Sequence, residues 1–245
     1  MDLNKVAMVT GSAVRLGRDI ALRLADLGYD IVLNFYRASD EEVKAAVDEL
    51  KSKGSDVLAV QADLRKADNI QAAFSEVKKK FGSLDLLVNN SSIFSDVDFF
   101  DITEEIFYDF IDSNLKSVLF CSIEAAKMMK DNPEKPCSII NISSLGGIQN
   151  WTGHIPYSLA KTGVVKLTKL MAKRLAPDIL VNSIAPGTIW IDDDENKTAR
   201  KDEERLYPMK RFGKSGDINS LIEYLAIHNK YITGNIFVVD GGRSL

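Results

Sequence analysis

Short apolar segments rich in β-branched residues alternate along the chain with longer stretches of helical periodicity. This alternation is typical of βαβ units around a buried parallel sheet. The pattern predicts seven strands, near Val6–Thr10, Asp30–Phe35, Val57–Ala62, Leu84–Asn89, Cys137–Ile142, Ile179–Ile184 and Asn235–Val239. We therefore expect a single α/β domain over residues 1–245, with a seven-stranded parallel sheet and helices on both faces.

The helical stretches are illustrated by Asp40–Lys53, in which acidic residues occupy the first turn and interact favourably with the helix dipole. One face carries the apolar residues Val43, Ala46, Val47 and Leu50. This pattern predicts an amphipathic helix that packs on the sheet.

Residues 188–214 interrupt the alternation with a long, charged and weakly periodic segment. Loops of this length in a compact domain are often functional. We expect a mobile substrate lid anchored by its apolar residues, Ile189, Trp190, Leu206, Tyr207 and Met209. Its acidic run, Asp192–Glu195, is interpreted as a solvated surface rather than a metal site.

Composition narrows the function classes. Of the 245 residues, 45% are hydrophobic and 27% are charged, which is ordinary for a folded globular protein. No window approaches the roughly eighteen apolar residues of a membrane span, and no signal sequence is recognised, so we expect a cytoplasmic protein without membrane contact. A net charge of -4 disfavours a nucleic-acid surface. Cys121 and Cys137 lack metal-ligand spacing, so we expect reduced thiols and no metal.

The first predicted strand leads into Thr10-Gly11-Ser12-Ala13-Val14-Arg15-Leu16-Gly17, and a helix is predicted to begin near Leu16. Glycines in such a loop let the backbone approach a pyrophosphate, and the helix N-terminus supplies unpaired N–H donors. An ordinary strand-to-helix connection is the alternative interpretation. The cofactor-binding candidates here are Gly11, Arg15, Leu16 and Gly17.

The end of the second strand bears on cofactor choice. Dinucleotide folds that select NAD place a carboxylate about twenty residues past the glycine loop, whereas this chain has Phe35 there. Tyr36, Arg37 and Ser39 follow, and a cation with a hydroxyl suits a 2′-phosphate. We therefore expect NADP(H), although Arg37 is also compatible with a solvated residue after a strand.

Tyr157 and Lys161 lie one helical turn apart, and a neighbouring cation favours the phenolate form of a tyrosine. By itself this spacing also fits an exposed pair. Ser144 ends the fifth strand at the edge where ligands of open parallel sheets bind, and its hydroxyl would stabilise charge on a substrate oxygen. Ser143 is the competing assignment.

Together these segments resemble the short-chain dehydrogenase/reductase family nearly end to end. The matching motifs are TGSAVRLG at 10–17, NNSS at 89–92, the Ser144 to Tyr157 spacing with YSLAK at 157–161, VNSIAPG at 181–187 and VDGG at 239–242. The resemblance implies a Rossmann fold, a nicotinamide cofactor and a homotetramer or homodimer.

The resemblance also implies residue roles. Asp63 and Leu64 match the adenine-contacting segment, and Asn90 and Ser91 match the element beside the cofactor. Pro186 and Gly187 match the segment beside the nicotinamide. The family's common threonine is absent, because Ile191 stands at its position, so we expect the backbone of Ile189 to contact the carboxamide. Asn114 matches an asparagine that holds a water in a proton relay through the lysine.

Two branches of the family are similar to this chain. SIINISSLGG and YSLAKTG resemble 3-oxoacyl-acyl-carrier-protein reductases, whereas Arg15 and Ser92 resemble pteridine reductases. Pteridine reductases generally have an aspartate at the position of Ser144. The serine in this chain favours reduction of a carbonyl substrate.

A non-catalytic dinucleotide sensor would tolerate loss of Tyr157 or Lys161, yet both are present. Three further residues are expected near the substrate: Gln149, Trp151 and His154.

Overall fold

Seven parallel strands form the central sheet of the computed structural model, which describes residues 5–191 and 201–245. The strands are β1 (Val6–Val9), β2 (Asp30–Phe35), β3 (Val57–Gln61), β4 (Leu86–Asn89), β5 (Cys137–Ile142), β6 (Ile179–Pro186) and β9 (Ile236–Val239). Their order is β3-β2-β1-β4-β5-β6-β9. Two short strands, β7 (Ile189–Trp190) and β8 (Gly213–Lys214), pair with each other. The predicted seven-stranded Rossmann-like sheet is confirmed, whereas the β7–β8 pair was not predicted.

Helices cover both faces of the sheet. They are α1 (Arg15–Asp26), α2 (Asp40–Ser52), α3 (Ala67–Phe81), α4 (Glu104–Ile111), α5 (Ser117–Lys130), α6 (Ile155–Leu175) and α7 (Ser215–Glu223). Short 3-10 turns occur at Phe99–Asp101, Leu145–Gly147, Thr152–His154 and Lys201–Leu206, and π turns at Asp112–Lys116 and Tyr224–His228. Residues of α3, α5 and α6 pack in one buried apolar cluster, and residues of α1, α2 and α7 pack in the other.

Helix α2 shows why the sequence pattern was informative. Ser39 caps its N-terminus in a reciprocal capping box with Glu42, and the acidic first turn suits the helix dipole. Ala46 and Leu50 are fully buried against the sheet, as the apolar spacing predicted. The helix ends at Ser52, one residue before the expected end.

The direction of strand addition reverses between β1 and β4. From β1, the sheet grows through β2 to β3 on one side and through β4 to β9 on the other. Such a reversal opens a crevice at the carboxyl edge of the sheet, where ligands of open α/β folds bind. The loops after β1, β4, β5 and β6 therefore converge on this crevice.

The described parts of the predicted lid pack against the domain. Tyr207 and Phe212 are buried, and the Trp190 ring stacks on Phe212 at 5.5 Å. Two predicted anchors, Leu206 and Met209, are instead exposed. Residues 192–200, which include the acidic run, lie outside the described residues. Mobility of the segment stays a prediction.

Both cysteines, Cys121 and Cys137, are buried free thiols, and burial raises the pKa of each to about 12. Within residues 5–191 and 201–245, no helix is long and apolar enough to cross a membrane.

Candidate active site

Three connected depressions follow the carboxyl edge of the sheet. The inner groove runs from the glycine loop to Tyr157 and Lys161, and the outer groove runs from Ser91 past Asp63 to Arg37. The two grooves share Ser91 and Ser92. A cleft of about 710 Å³ adjoins the inner groove. The residues common to that groove and the cleft are Phe94, Ser144, Tyr157, Gly187 and Ile189.

The inner groove collects most of the residues that the sequence predicted for the cofactor. These are Gly11, Arg15, Leu16, Gly17, Asn90, Ser91, Tyr157, Lys161, Pro186, Gly187 and Ile189. They come from segments far apart in the chain, and the topology of the sheet brings them together. The outer groove collects the others except Ser39, namely Tyr36, Arg37, Asp63 and Leu64.

The glycine loop is held tightly against the end of β4. The Thr10 hydroxyl oxygen accepts hydrogen bonds from the backbone N–H groups of Asn90 and Ser91, both 2.9 Å long. The Asn90 amide donates back to the carbonyls of Thr10 and Gly11. A Cβ added at Gly17 would lie 2.1 Å from the Gly11 oxygen, so only glycine fits there. Glycine at this position therefore lets α1 pack closely against the loop.

Arg15 begins α1, one residue before the expected start, and its φ of 55° lies in the left-handed region. A non-glycine residue pays roughly 1 kcal/mol for that conformation. The position is the one where the family pattern has glycine. Arg15 therefore retains the glycine-like backbone while placing a cation on the inner groove.

Asn34 is a functional candidate that the sequence interpretation missed. Its buried side chain accepts a hydrogen bond of 3.2 Å from the Gly11 N–H and donates to the carbonyls of Val60 and Ala62. It therefore ties the glycine loop to β2 and β3. The signal was present in the sequence, because an amide inside the apolar strand DIVLNF must find hydrogen-bond partners when buried.

At the end of β2, Tyr36 and Arg37 are exposed, and the Arg37 guanidinium lies 5.3 Å from the centre of the Tyr36 ring. No carboxylate of the described residues forms an ion pair with Arg37. Ser39 differs from expectation, because its hydroxyl donates to the Glu42 carboxylate and accepts from the Glu42 N–H. The cap of α2 thus uses the hydroxyl, and Ser39 is absent from the residues that line the outer groove. A contact between Ser39 and a 2′-phosphate stays a prediction.

Asp63 is buried at the start of the loop after β3, and its carboxylate pairs with Arg65. The side-chain hydrogen bonds from Arg65 lower the pKa of Asp63 below its usual value. Arg65 also lines the outer groove, and the sequence interpretation did not include it.

Ser144, Tyr157 and Lys161 are all buried; Ser144 and Tyr157 lie where the inner groove meets the cleft, and Lys161 lines the inner groove. A Cβ added at Gly147 would lie 2.8 Å from the Lys161 carbonyl, so glycine lets the turn after Ser144 pack closely on α6. Burial raises the pKa of Tyr157, and a side-chain hydrogen bond with Ser144 opposes that shift. Burial lowers the pKa of Lys161 to about 8. Its ammonium donates a hydrogen bond of 2.9 Å to the Ile142 carbonyl.

Ser143 and Ser144 have different surroundings. The Ser143 hydroxyl donates to the Ile184 carbonyl at 3.0 Å and accepts from the Ser183 hydroxyl at 2.7 Å, which ties β5 to β6. The Ser144 hydroxyl oxygen accepts from the Gly146 N–H at 3.0 Å and contacts Tyr157. Ser144 also lines the cleft, whereas Ser143 does not. The geometry therefore favours Ser144 as the serine available to a substrate.

Asn114 lies in the π turn between α4 and α5, and its side chain is fully buried. Its amide donates to the Ile93 carbonyl at 3.0 Å, and its oxygen accepts from the Ile93 N–H at 2.8 Å. Asn114 thus anchors the segment that places Phe94 edge-on to Tyr157, with the ring centres 4.8 Å apart. It does not line the three depressions, and a water relay through it stays a prediction.

The cleft is lined by Gln149, Trp151 and His154, as expected for the substrate side. On the opposite wall, Nε2 of His154 lies 3.0 Å from a carboxylate oxygen of Asp96, and its ring centre lies 4.5 Å from that of Phe94. Other residues of the cleft were not predicted, namely Asp96, Glu203 and Arg243. They come from loops whose position depends on tertiary structure rather than on a local pattern.

Comparison with known proteins shows similarity over the whole fold. Residues 11–244 match a protein-family model described as enoyl-(acyl carrier protein) reductase. The chain is 40% identical over 246 residues to a 3-oxoacyl-[acyl-carrier-protein] reductase of Staphylococcus aureus (strain Mu50), and the match covers 99% of each chain. It is 35% identical over 249 residues to a 2-dehydro-3-deoxy-D-gluconate 5-dehydrogenase of Escherichia coli (strain K12), covering 97% of this chain and 94% of that relative.

Among solved structures, a short-chain dehydrogenase/reductase from Serratia marcescens BCRC 10948 superposes with a TM-score of 0.92 at 31% identity. The match covers 99% of both chains. The segments that line the two grooves and the cleft all lie within these aligned lengths.

Proposed function

The chain belongs to the short-chain dehydrogenase/reductase family, and from this premise we propose that it reduces a carbonyl group to an alcohol with NADPH. The observation that carries the proposal is the burial of Ser144 and Tyr157 at the junction of groove and cleft, with Lys161 buried on the groove side. We propose 3-oxoacyl thioesters as substrates. The family model and the S. aureus relative are both named for reductases of acyl carrier protein substrates, which supports this class.

The residues of the two grooves fit a dinucleotide. Gly11 and Gly17 line the inner groove at the start of α1, whose unpaired N–H groups would bind a pyrophosphate there. Asp63 and Leu64 would hold the adenine, and Pro186, Gly187 and Ile189 would lie beside the nicotinamide. When bound, NADPH supplies the hydride for the reaction.

Two hydroxyl groups would hold the substrate carbonyl. Ser144 donates a hydrogen bond to the carbonyl oxygen and stabilises the negative charge that develops on it. Tyr157 donates its phenolic proton to the same oxygen as the alcohol forms, which makes it the general acid. Lys161 favours the resulting phenolate through its positive charge, because the ammonium lies 5.7 Å from the centre of the Tyr157 ring.

The preference for NADPH over NADH rests on charge at the end of β2. Phe35 occupies the place of the carboxylate that would accept hydrogen bonds from a ribose and repel a 2′-phosphate. Arg37 is exposed on the outer groove, and Arg15 adds a cation on the adjoining inner groove. A planar guanidinium suits a phosphate group.

The function is tested by following NADPH oxidation with a 3-oxoacyl thioester, a 2-enoyl thioester, a dihydropteridine, a diketone and a keto sugar acid. We expect the 3-oxoacyl thioester to give the highest kcat/KM. Tyr157→Phe should abolish turnover, and Tyr231→Phe, at a residue that is 95% exposed, should not. Turnover of the dihydropteridine alone would replace the proposal with pteridine reduction, and full activity of Tyr157→Phe would refute the mechanism.

We also propose that the protein is a homotetramer or homodimer. Several large apolar side chains are exposed on the single chain, among them the adjacent rings of Phe99 and Phe100, whose centres lie 5.3 Å apart. Exposed apolar surface of this kind marks association sites, and closed symmetric assemblies are the common outcome. Sedimentation at micromolar concentration should give two or four chains per particle, and a single-chain mass would contradict the proposal.

A further inference from the structure

Arg65 links the loop after β3 to helix α4 through two carboxylates. Its Nε lies 3.0 Å from Oδ1 and 3.2 Å from Oδ2 of Asp63, and its Nη2 lies 2.9 Å from Oδ2. The Arg65 backbone N–H donates to Oδ1 of Asp63 at 3.0 Å. The remaining terminal nitrogen, Nη1, donates to Asp109 at 2.7 Å. The guanidinium is therefore fixed at both ends.

This arrangement orients the Asp63 carboxylate. A planar guanidinium that donates to both oxygens fixes the plane of the carboxylate as well as its position. Each carboxylate oxygen accepts about two hydrogen bonds. Oδ1 accepts from the backbone N–H and from Nε, whereas Oδ2 accepts from Nη2 and only shares the single Nε proton at the longer distance, so Oδ2 is the oxygen better able to accept from another donor.

All three residues of this bridge lie on the outer groove. Asp63, Arg65 and Asp109 line it together with Tyr36. The Arg65 guanidinium also lies 5.6 Å from the centre of the Tyr36 ring, on which Arg37 packs at 5.3 Å. The bridge therefore forms part of the wall that an adenosine group would contact.

We propose that Arg65 is a positioning residue that presents Asp63 to the 6-amino group of the cofactor's adenine, an inference that rests on the proposed NADP(H) function. The guanidinium balances the charge of Asp63, so the carboxylate does not attract cations in general. Its fixed orientation instead lets it accept a hydrogen bond from a donor that approaches in one direction. A base with an acceptor in place of the amino group finds no partner there. Arg65 thus makes the groove selective for adenine.

The test compares binding of NADPH with binding of its hypoxanthine analogue, in which a carbonyl oxygen replaces the 6-amino group. Affinities are measured by fluorescence titration of the intact protein without substrate. The unaltered protein should prefer NADPH by about tenfold, as expected for one hydrogen bond to a charged group. Arg65→Gln should reduce the preference to less than about twofold. Lys66→Gln is the control, because it removes a neighbouring cation that does not line the outer groove. This variant should keep the tenfold preference for NADPH.

A merely structural bridge predicts a different result. Loss of Arg65 would then weaken both ligands by the same factor and leave their ratio unchanged, which overturns the inference. Arg65→Lys keeps the positive charge but loses the planar guanidinium that donates to both oxygens of Asp63, so it should also lose the preference for NADPH. This variant replaces Arg65→Gln in the test if Arg65→Gln does not fold. Equal binding of both ligands by the unaltered protein also overturns the inference but leaves the proposed function intact. Failure to bind either ligand refutes the proposed function itself.

Discussion

Lys161 holds its ammonium 5.7 Å from the centre of the Tyr157 ring, and both side chains are buried. The two residues lie one turn apart on α6. This helix begins at Ile155 and has Pro156 in its first turn. Burial acts on both in the same sense, because it disfavours the charged form of each. It lowers the pKa of Lys161 to about 8 and raises that of Tyr157.

The lowered pKa predicts the pH dependence of carbonyl reduction. As pH rises through about 8, Lys161 in the free protein loses its proton and no longer favours the phenolate that forms as Tyr157 gives up its proton. We expect kcat/KM, which reports the free protein, to fall above that pH. Steady-state rates from pH 6 to pH 10 check this, and a profile that stays level up to pH 10 would show that Lys161 remains charged or is not required.

The two adjacent serines provide a matched pair of variants. Ser144→Ala should lower kcat/KM, because it removes roughly 2–4 kcal/mol of transition-state stabilisation. Its affinity for NADPH should be unchanged. Ser143→Ala should keep most of the activity but lower the free energy of unfolding by about 1 kcal/mol or more, because its hydroxyl joins β5 to β6. Kinetics and urea unfolding of both variants separate the roles, and the reverse pattern would assign the substrate contact to Ser143.

Arg37→Ala should weaken NADPH binding by about tenfold and leave NADH binding nearly unchanged, because only NADPH carries the 2′-phosphate. Lys44→Ala removes an exposed cation of α2 that does not line the outer groove, so its affinity for both cofactors should be retained. Titration of the three proteins with each cofactor makes the comparison. If Arg37→Ala binds NADPH as the unaltered protein does, the 2′-phosphate site lies elsewhere.

The sequence predicted the strands and the residues at their carboxyl ends because both follow from local patterns. Buried parallel strands are continuous apolar runs, and Ser144 is placed by where such a run ends, whereas Pro186 came from the resemblance to the family segment at 181–187. For Ser39, the sequence did not distinguish between two uses of one hydroxyl. A hydroxyl before an acidic helical turn suits both a phosphate and an N-cap, and in the structure the cap uses it.

Arg65 and Arg243 were missed for a different reason. Their functional surroundings are made by contacts across long sequence separations, such as the Arg65 to Asp109 ion pair and the Arg243 guanidinium 5.9 Å from the Tyr207 ring. A single sequence contains no local signal for such pairs. Asn34 was predictable in principle, because an amide in a buried strand requires partners.

Arg15 and Lys210 are the two non-glycine residues with positive φ in the described chain, at 55° and 54°, and they form the pair for the last prediction. Arg15→Gly relieves the strain of the left-handed backbone, so the free energy of unfolding should not fall and should rise by up to about 1 kcal/mol. NADPH affinity should nevertheless drop several-fold, because the cation on the inner groove is removed.

Lys210→Gly is the matched control. It relieves the same backbone strain at a position that does not line the two grooves, so stability should change in the same direction and NADPH affinity should stay constant. Urea unfolding gives the free energy of unfolding of each variant, and cofactor titration gives its affinity for NADPH. Unchanged NADPH affinity in Arg15→Gly would mean that the arginine serves only the loop structure, and the preference for NADPH would then depend on Arg37 alone.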